Sequence, residues 1–244
     1  MSLLPNDVHD SWKRLLTDDF LKKLDDIEKA LDAMPKHSSG YSYFPVKKRV
    51  MRFLSQDLIN VKCVILGMEP YPSWYVNDEG KFIPVATGRS FEIANVSNWN
   101  QKFKQTSLRN MLKTIYLNAT GKKKSVEEIR KEIANGTFTI SQPHEWFEAL
   151  EREGVMFLNA TLTVEPINPD SHTALWKDVM NEIILYIDNH GDDVKWLLFG
   201  NKAQERLVGA LGEKDYMYKC SHPRLAEFVD ENIFKDVPEI KWNS

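Results

Sequence analysis

Three short apolar runs constrain this chain more than any other feature. They are residues 61–67 (Val-Lys-Cys-Val-Ile-Leu-Gly), 154–159 (Gly-Val-Met-Phe-Leu-Asn) and 194–200 (Val-Lys-Trp-Leu-Leu-Phe-Gly). Each is strand-length and nearly continuous in its apolar character, the pattern of a parallel strand covered on both faces. The second and third follow amphipathic segments, around residues 146–152 and 176–188, that read as helices. Strands alternating with helices predict an α/β fold: a central, mostly parallel sheet with helices on both faces. A shorter strand at 215–220 makes four. Upstream, Trp12, Leu15, Leu16, Phe20, Leu21, Leu24, Ile27 and Leu31 recur at three- and four-residue spacing, so 10–34 reads as helices. Val50, Met51, Phe53 and Leu54 suggest one further short helix, 35–40 a loop, and 229–244 a loop-like tail. No repeat, low-complexity tract or linker divides the 244 residues, which predicts one domain over 1–244.

Composition narrows the function classes. With 32 basic against 35 acidic residues the net charge is −3, which excludes a wholesale coat for a polyanion but not a basic face on a near-neutral enzyme. One such face is expected in 101–131, where nine Lys and Arg meet only Glu127 and Glu128; a solvated surface is the plainer reading. Cys63 and Cys220 make neither a disulfide framework nor a structural zinc site, and a reducing cytosol is the default. The N-terminus has no signal-peptide pattern, and no apolar run approaches the ~20 residues of a membrane span. A cytoplasmic protein with no membrane partner is expected.

Ligands of open parallel sheets bind beyond the carboxyl ends of the strands. There the chain places Gly67-Met68-Glu69-Pro70-Tyr71, then Leu158-Asn159, then Ser221-His222-Pro223. A carboxylate, an amide and an imidazole would thus meet at one sheet edge, a set able to move protons, read hydrogen bonds and stabilise an anion. Singly, each has a plainer role. Glu69 would cap a loop or pair with a Lys, Tyr71 and Phe91 would be core aromatics, and Asn159 would satisfy a turn. His222 would be structural, and Cys220 beside it lacks the second ligand pair a metal needs.

These positions, in this order, resemble the uracil-DNA glycosylases, specifically the large family of bacterial and mitochondrial repair enzymes. Val64-Ile65-Leu66 followed by Gly67-Met68-Glu69-Pro70-Tyr71-Pro72 is similar to the family's Val-Ile-Leu strand and its Gly-Gln-Asp-Pro-Tyr-His motif. Ala86-Thr87-Gly88-Arg89-Ser90-Phe91, Ser107-Leu108-Arg109-Asn110 and Phe157-Leu158-Asn159-Ala160-Thr161-Leu162-Thr163-Val164 match further landmarks. So do Ser171-His172 before Trp176, Gly200-Asn201-Lys202-Ala203-Gln204 (family Gly-Ser-His-Ala-Gln) and His222-Pro223-Arg224-Leu225-Ala226 (family His-Pro-Ser-Pro-Leu-Ser). The correspondence runs from about Trp12 to Trp242.

The resemblance implies hydrolysis of the bond between uracil and deoxyribose, with the base flipped out of DNA into a pocket. Charge separates as that bond breaks, so fixed charges and dipoles lower the barrier. Glu69 would position water and stabilise the sugar cation, and His222 would donate to uracil O2. Asn159 would pair with the uracil edge, its amide offering both a donor and an acceptor. Phe91 would stack on the base, Tyr71 would exclude a thymine methyl, and Met68 would present its backbone amide. Ser107, Gly200, Asn201, Pro223 and Arg224 would meet DNA, with Leu225 as the wedge left in the stack. The partner implied is DNA, the protein acting as a monomer, with no metal or organic cofactor. His172 matches a family position but is given no chemistry.

The chain departs from the family pattern at the chemistry itself. Glu69 stands for an Asp, and a displacement of ~1 Å can cost ~100-fold in rate. Pro72 replaces a His that helps hold water, Arg224 enters a motif that has lost its Ser-Pro, and residues 73–85 form a longer loop beside the pocket. Glu227, Asp230 and Glu231 follow the wedge, where they would repel phosphates. Three readings stay open: a uracil-DNA glycosylase-like enzyme, a catalytically silent nucleic-acid-binding homologue, and an N-glycosidase acting on another base or nucleoside.

Overall fold

The computed structural model describes residues 2–244. In chain order its main elements are α1 (Asp18–Asp32), β1 (Cys63–Gly67), β2 (Trp74–Val76), β3 (Phe82–Pro84), α2 (Thr106–Thr120), α3 (Val126–Ala134), α4 (Pro143–Glu153), β4 (Val155–Asn159), α5 (Thr173–His190), β5 (Lys195–Phe199), α6 (Asn201–Leu211), β6 (Met217–Cys220) and α7 (Glu227–Glu231). The three apolar runs are β1, β4 and β5. With β6 they form one sheet in the order β4-β1-β5-β6, every neighbouring pair parallel.

Alternation along these strands builds two cores. Val64, Leu66, Met156, Leu158, Trp196 and Leu198 face one side, against α1, α5 and the turns around Val50–Leu58. Cys63, Ile65, Val155, Phe157, Leu197 and Phe199 face the other, against α2, α3, α4 and the C-terminal segment. Sequence periodicity sees such strands as plain apolar runs because both faces are covered. The 10–34 segment divides into a 3-10 turn, Asp10–Trp12, and α1, whose first turn is capped by the Thr17 hydroxyl accepting from the Phe20 N–H at 3.2 Å. No helix among the described residues is long and apolar enough to cross a membrane.

Two stretches differ from expectation. Residues 74–84 are not a loop but an antiparallel hairpin, β2 with β3, closed by a turn in which the Asn77 side-chain oxygen accepts from the Glu79 and Lys81 N–H groups. The C-terminal segment is not loop-like: it holds α7 and a 3-10 turn, Ile233–Asp236. It also buries Phe228, Phe234, Val237, Ile240 and Trp242. Trp242 stacks on Phe234 with ring centroids 4.3 Å apart, and its carbonyl accepts from the Trp146 indole at 2.7 Å. The spacing of these apolar residues follows neither helix nor strand period, because packing onto β5 and α4 orders them.

Candidate active site

All four strands end at one edge, and the register decides what meets there. Gly67 at the end of β1 lies beside Asn159 at the end of β4, and Phe199 of β5 lies beside Cys220 of β6. Beyond them opens a cavity of about 540 Å3, lined by residues 67–72, Phe91, Ser107, Asn159, residues 199–202, Ser221, His222, Arg224 and Leu225. Every site residue expected from the sequence borders it except Pro223. That proline is buried, and its carbonyl accepts from the Asn110 side chain of α2 at 2.7 Å.

Two glycines make the gathering possible. A Cβ on Gly67 would lie 2.6 Å from the Asn159 side-chain oxygen, and one on Gly200 would lie 2.9 Å from the His222 Cβ. Asn159 is 3% exposed, and its amide makes no hydrogen bond within the protein among the described residues. The residue borders the cavity, so its amide is open to a ligand's donors and acceptors there. Phe91 sits beside it at φ 64°, a conformation a bulky side chain rarely adopts, in a three-residue turn closed by the Glu92 N–H donating to the Ser90 carbonyl at 2.9 Å. Its half-buried ring packs on Phe199 (centroids 5.3 Å) and faces His222 (6.3 Å). The turn is braced by buried Arg89, which donates to Glu92 at 3.0 Å and makes a two-pronged contact with Glu151 of α4.

Across the cavity, the Arg224 N–H donates to His222 Nδ1 at 3.1 Å. Nδ1 is therefore the acceptor of a neutral ring, and Nε2 carries the proton. Burial, and then the charge of Arg224, lower the imidazole pKa below its ordinary value, which keeps the ring neutral near pH 7. The 222–225 turn is held by Asn110, which donates to both the Pro223 and Leu225 carbonyls. Leu225 projects from it, 52% exposed.

On the near side, Glu69 Oε2 accepts from the Asp170 N–H at 2.8 Å, and the Asp170 carboxylate pairs with Lys202 at 3.0 Å. Burial raises the Glu69 carboxyl above its ordinary range; the Asp170 N–H opposes that, the Asp170 charge adds to it, and Lys202 opposes it. Burial also pushes the Tyr71 phenol up to about 12, against the pull of Arg224. Pro72 borders the cavity, and its carbonyl accepts from the Ile167 N–H at 2.8 Å. Ser107 in the first turn of α2 and Asn201 at the start of α6 bring two helix N-termini to the rim, a setting that favours anions.

Other expectations resolve differently. The 74–84 hairpin does not line this cavity. His172 is buried away from it, its Nδ1 2.8 Å from the Thr163 hydroxyl, which also accepts from the Trp176 indole. Of the basic stretch, Lys123 pairs with Asp230, Lys124 with Glu132, and Arg130 donates to the Trp99 and Gln101 carbonyls. Glu231 is likewise occupied, accepting from the Ser221 N–H and hydroxyl. Sequence reasoning gave no role to Asp170, Lys202 or Asn110; the last two lay inside the quoted motifs, the only signal that pointed to them. No cluster of three or more His, Cys, Asp or Glu suited to a metal occurs among the described residues.

No protein-family model matches the sequence. A uracil-DNA glycosylase of Buchnera aphidicola is 31% identical over 182 residues, 74% of this chain and 68% of its own length. The chain belongs to the uracil-DNA glycosylase family. A UNG crystal structure from Nitratifractor salsuginis shares the fold over 96% of this chain and 92% of its own, at 22% identity and a TM-score of 0.71. A mimivirus uracil-DNA glycosylase does so over 91% and 70%, at 19% identity and 0.60. Within a uracil-DNA glycosylase framework, the changes at 69, 72 and 202 cluster on one wall of the cavity, while Phe91, Asn159 and His222 keep the family types on the others.

Proposed function

We propose that the protein hydrolyses the N-glycosidic bond of uracil in DNA, acting on a nucleotide flipped into the 540 Å3 cavity. The observation that carries this reading is Asn159, whose amide makes no hydrogen bond to the protein among the described residues and which lines the same cavity as Phe91 and His222. A pyrimidine stacked on Phe91 would meet Asn159 along its N3 and O4 edge. His222 would donate to O2 as negative charge develops there, without first giving up a proton. Tyr71, beside the motif carboxylate, would occupy the space of a C5 methyl.

Glu69 borders the same cavity, with one oxygen held by Asp170 and the other making no hydrogen bond within the protein among the described residues. That oxygen would accept from water and face the developing sugar cation. The helix N-termini at Ser107 and Asn201, with Arg224, supply contacts for the flanking phosphates, and exposed Leu225 fills the gap in the stack. The protein would act as a monomer. Two buried free cysteines suit a reducing, cytoplasmic setting.

The test is base release from single-stranded oligonucleotides carrying one uracil, thymine or cytosine, each freed base measured directly. Uracil alone should be released, and Asn159→Ala should slow release without unfolding the chain. Release of another base in preference to uracil would reassign the substrate, and release of none would leave a binding protein.

A further inference from the structure

Glu69 carries one methylene more than the aspartate the family motif has at this place, and therefore one more torsion to fix before its free oxygen is held still. The structure supplies the restraint from outside the motif. Residues 165–170 are fastened to residues 69–72 at two points: the Ile167 N–H donates to the Pro72 carbonyl at 2.8 Å, and the Asp170 N–H donates to Glu69 Oε2 at 2.8 Å. Both donors are left-handed, Ile167 at φ 57° and Asp170 at φ 62°. Ile167 is β-branched and 68% exposed, so its own packing does not explain that geometry. Strain of this kind persists where surrounding contacts over-determine it, and it collects at functional sites. The remaining contact comes from α6, where Lys202 Nζ reaches both Asp170 carboxylate oxygens at 3.0 and 3.2 Å. Positions 72 and 202, both histidine in the family motifs, are thus Pro and Lys here, and both belong to this restraint.

We infer that Lys202 and Asp170 are positioning residues for Glu69: the ammonium pins Asp170, whose N–H holds one carboxylate oxygen and leaves the other turned to the cavity. This rests on the glycosidase reading above. Neither residue touches the base. The charged groups around Glu69 are Asp170 from the loop and Lys202 from α6, with Arg224 and the neutral, titratable His222 across the cavity, so removing each member of the pair has a distinct sign. Losing Lys202 removes a cation that favours ionised Glu69 and leaves the Asp170 charge, so the acid limb of the rate profile moves to higher pH. Losing the Asp170 charge moves it to lower pH. Both changes loosen the carboxylate.

The experiment compares wild type, Lys202→Met, Lys202→Arg and Asp170→Asn in single-turnover uracil release across pH and salt. Lys202→Met should lower the saturating rate about tenfold or more, since a misplacement of ~1 Å costs up to ~100-fold, with the half-saturating DNA concentration nearly unchanged. Lys202→Arg should restore most of the rate, and the acid limbs of Lys202→Met and Asp170→Asn should move in opposite directions. A Lys202→Met defect confined to the half-saturating DNA concentration and relieved at low salt would make Lys202 a phosphate contact and overturn the inference. Should wild type release no uracil, the substrate reading fails while the positioning claim is still decided by the Asp170 backbone amide in a 1H–15N spectrum. That resonance should show a Glu69 step in wild type that is missing in Glu69→Gln and whose midpoint moves upward in Lys202→Met; an unmoved midpoint overturns the inference.

Discussion

Phe91 shows how much of this site is built into single residues. Its left-handed backbone aims the ring between Phe199 and His222, where a flipped base would lie. Stacking on an aromatic ring is worth ~1–3 kcal/mol, so Phe91→Ala should weaken the second-order rate of uracil release by about 5- to 150-fold. Its melting temperature should change little; a large stability loss instead would make Phe91 a core residue. Two titrating groups of the cavity would shape the pH profile under the proposed roles. Glu69, raised above its ordinary range, would act ionised, and His222, lowered below its own, would act neutral. The release rate should therefore rise with pH through the Glu69 transition. Glu69→Gln should abolish that limb, and a limb that survives in the variant would belong to another group.

Among the elements, the turn that carries Phe91 hangs on a buried ion cluster. Arg89 bridges Glu92 and Glu151, and His144 lies 3.0 Å from Glu92. Removing one partner strands buried charge, so Arg89→Met should cost about 3–5 kcal/mol in a denaturant titration. Burial pushes the Glu92 carboxyl up, but the His144 hydrogen bond and then the Arg89 charge outweigh it, holding Glu92 at about 2 against an ordinary 4.5. A depressed acid contributes stability that is present above its unfolded pKa and lost as pH falls through the folded one. The stability gap between wild type and Glu92→Gln should accordingly close between about pH 4.5 and 2, and a gap that persists there would contradict the assignment. The strands were legible in sequence because continuous apolar runs have few other uses, and their shared edge followed from the parallel rule. The β2–β3 hairpin was not, since strands of three residues are too short for alternation to register. Nor was the Asp170–Lys202 contact, which joins positions far apart in sequence through a left-handed turn that composition does not announce.

For the whole molecule, the sheet divides two cores, and the C-terminal segment completes one of them. The Trp242 side chain is 2% exposed and stacks on Phe234, so Trp242→Ala should cost about 3–5 kcal/mol despite lying two residues from the end. Charge at this scale is more modest than the basic stretch suggested, because Lys123, Lys124 and Arg130 are occupied within the protein. Affinity for single-stranded DNA should fall with salt at a slope of about −0.7 per phosphate contact, and binding unaffected by salt would argue against the rim contacts assigned here. What unites these scales is one claim: a carboxylate, an amide and an imidazole brought to a common sheet edge excise uracil. The direct measurement is alkali-revealed strand cleavage of a labelled single-stranded oligonucleotide containing one deoxyuridine, with Glu69→Gln beside wild type. Wild type should produce the abasic cut, and the variant should be slower by about 100-fold or more, the scale set by a misplaced or missing catalytic group. An intact oligonucleotide beside an active reference enzyme, or equal cleavage by the variant, would contradict it.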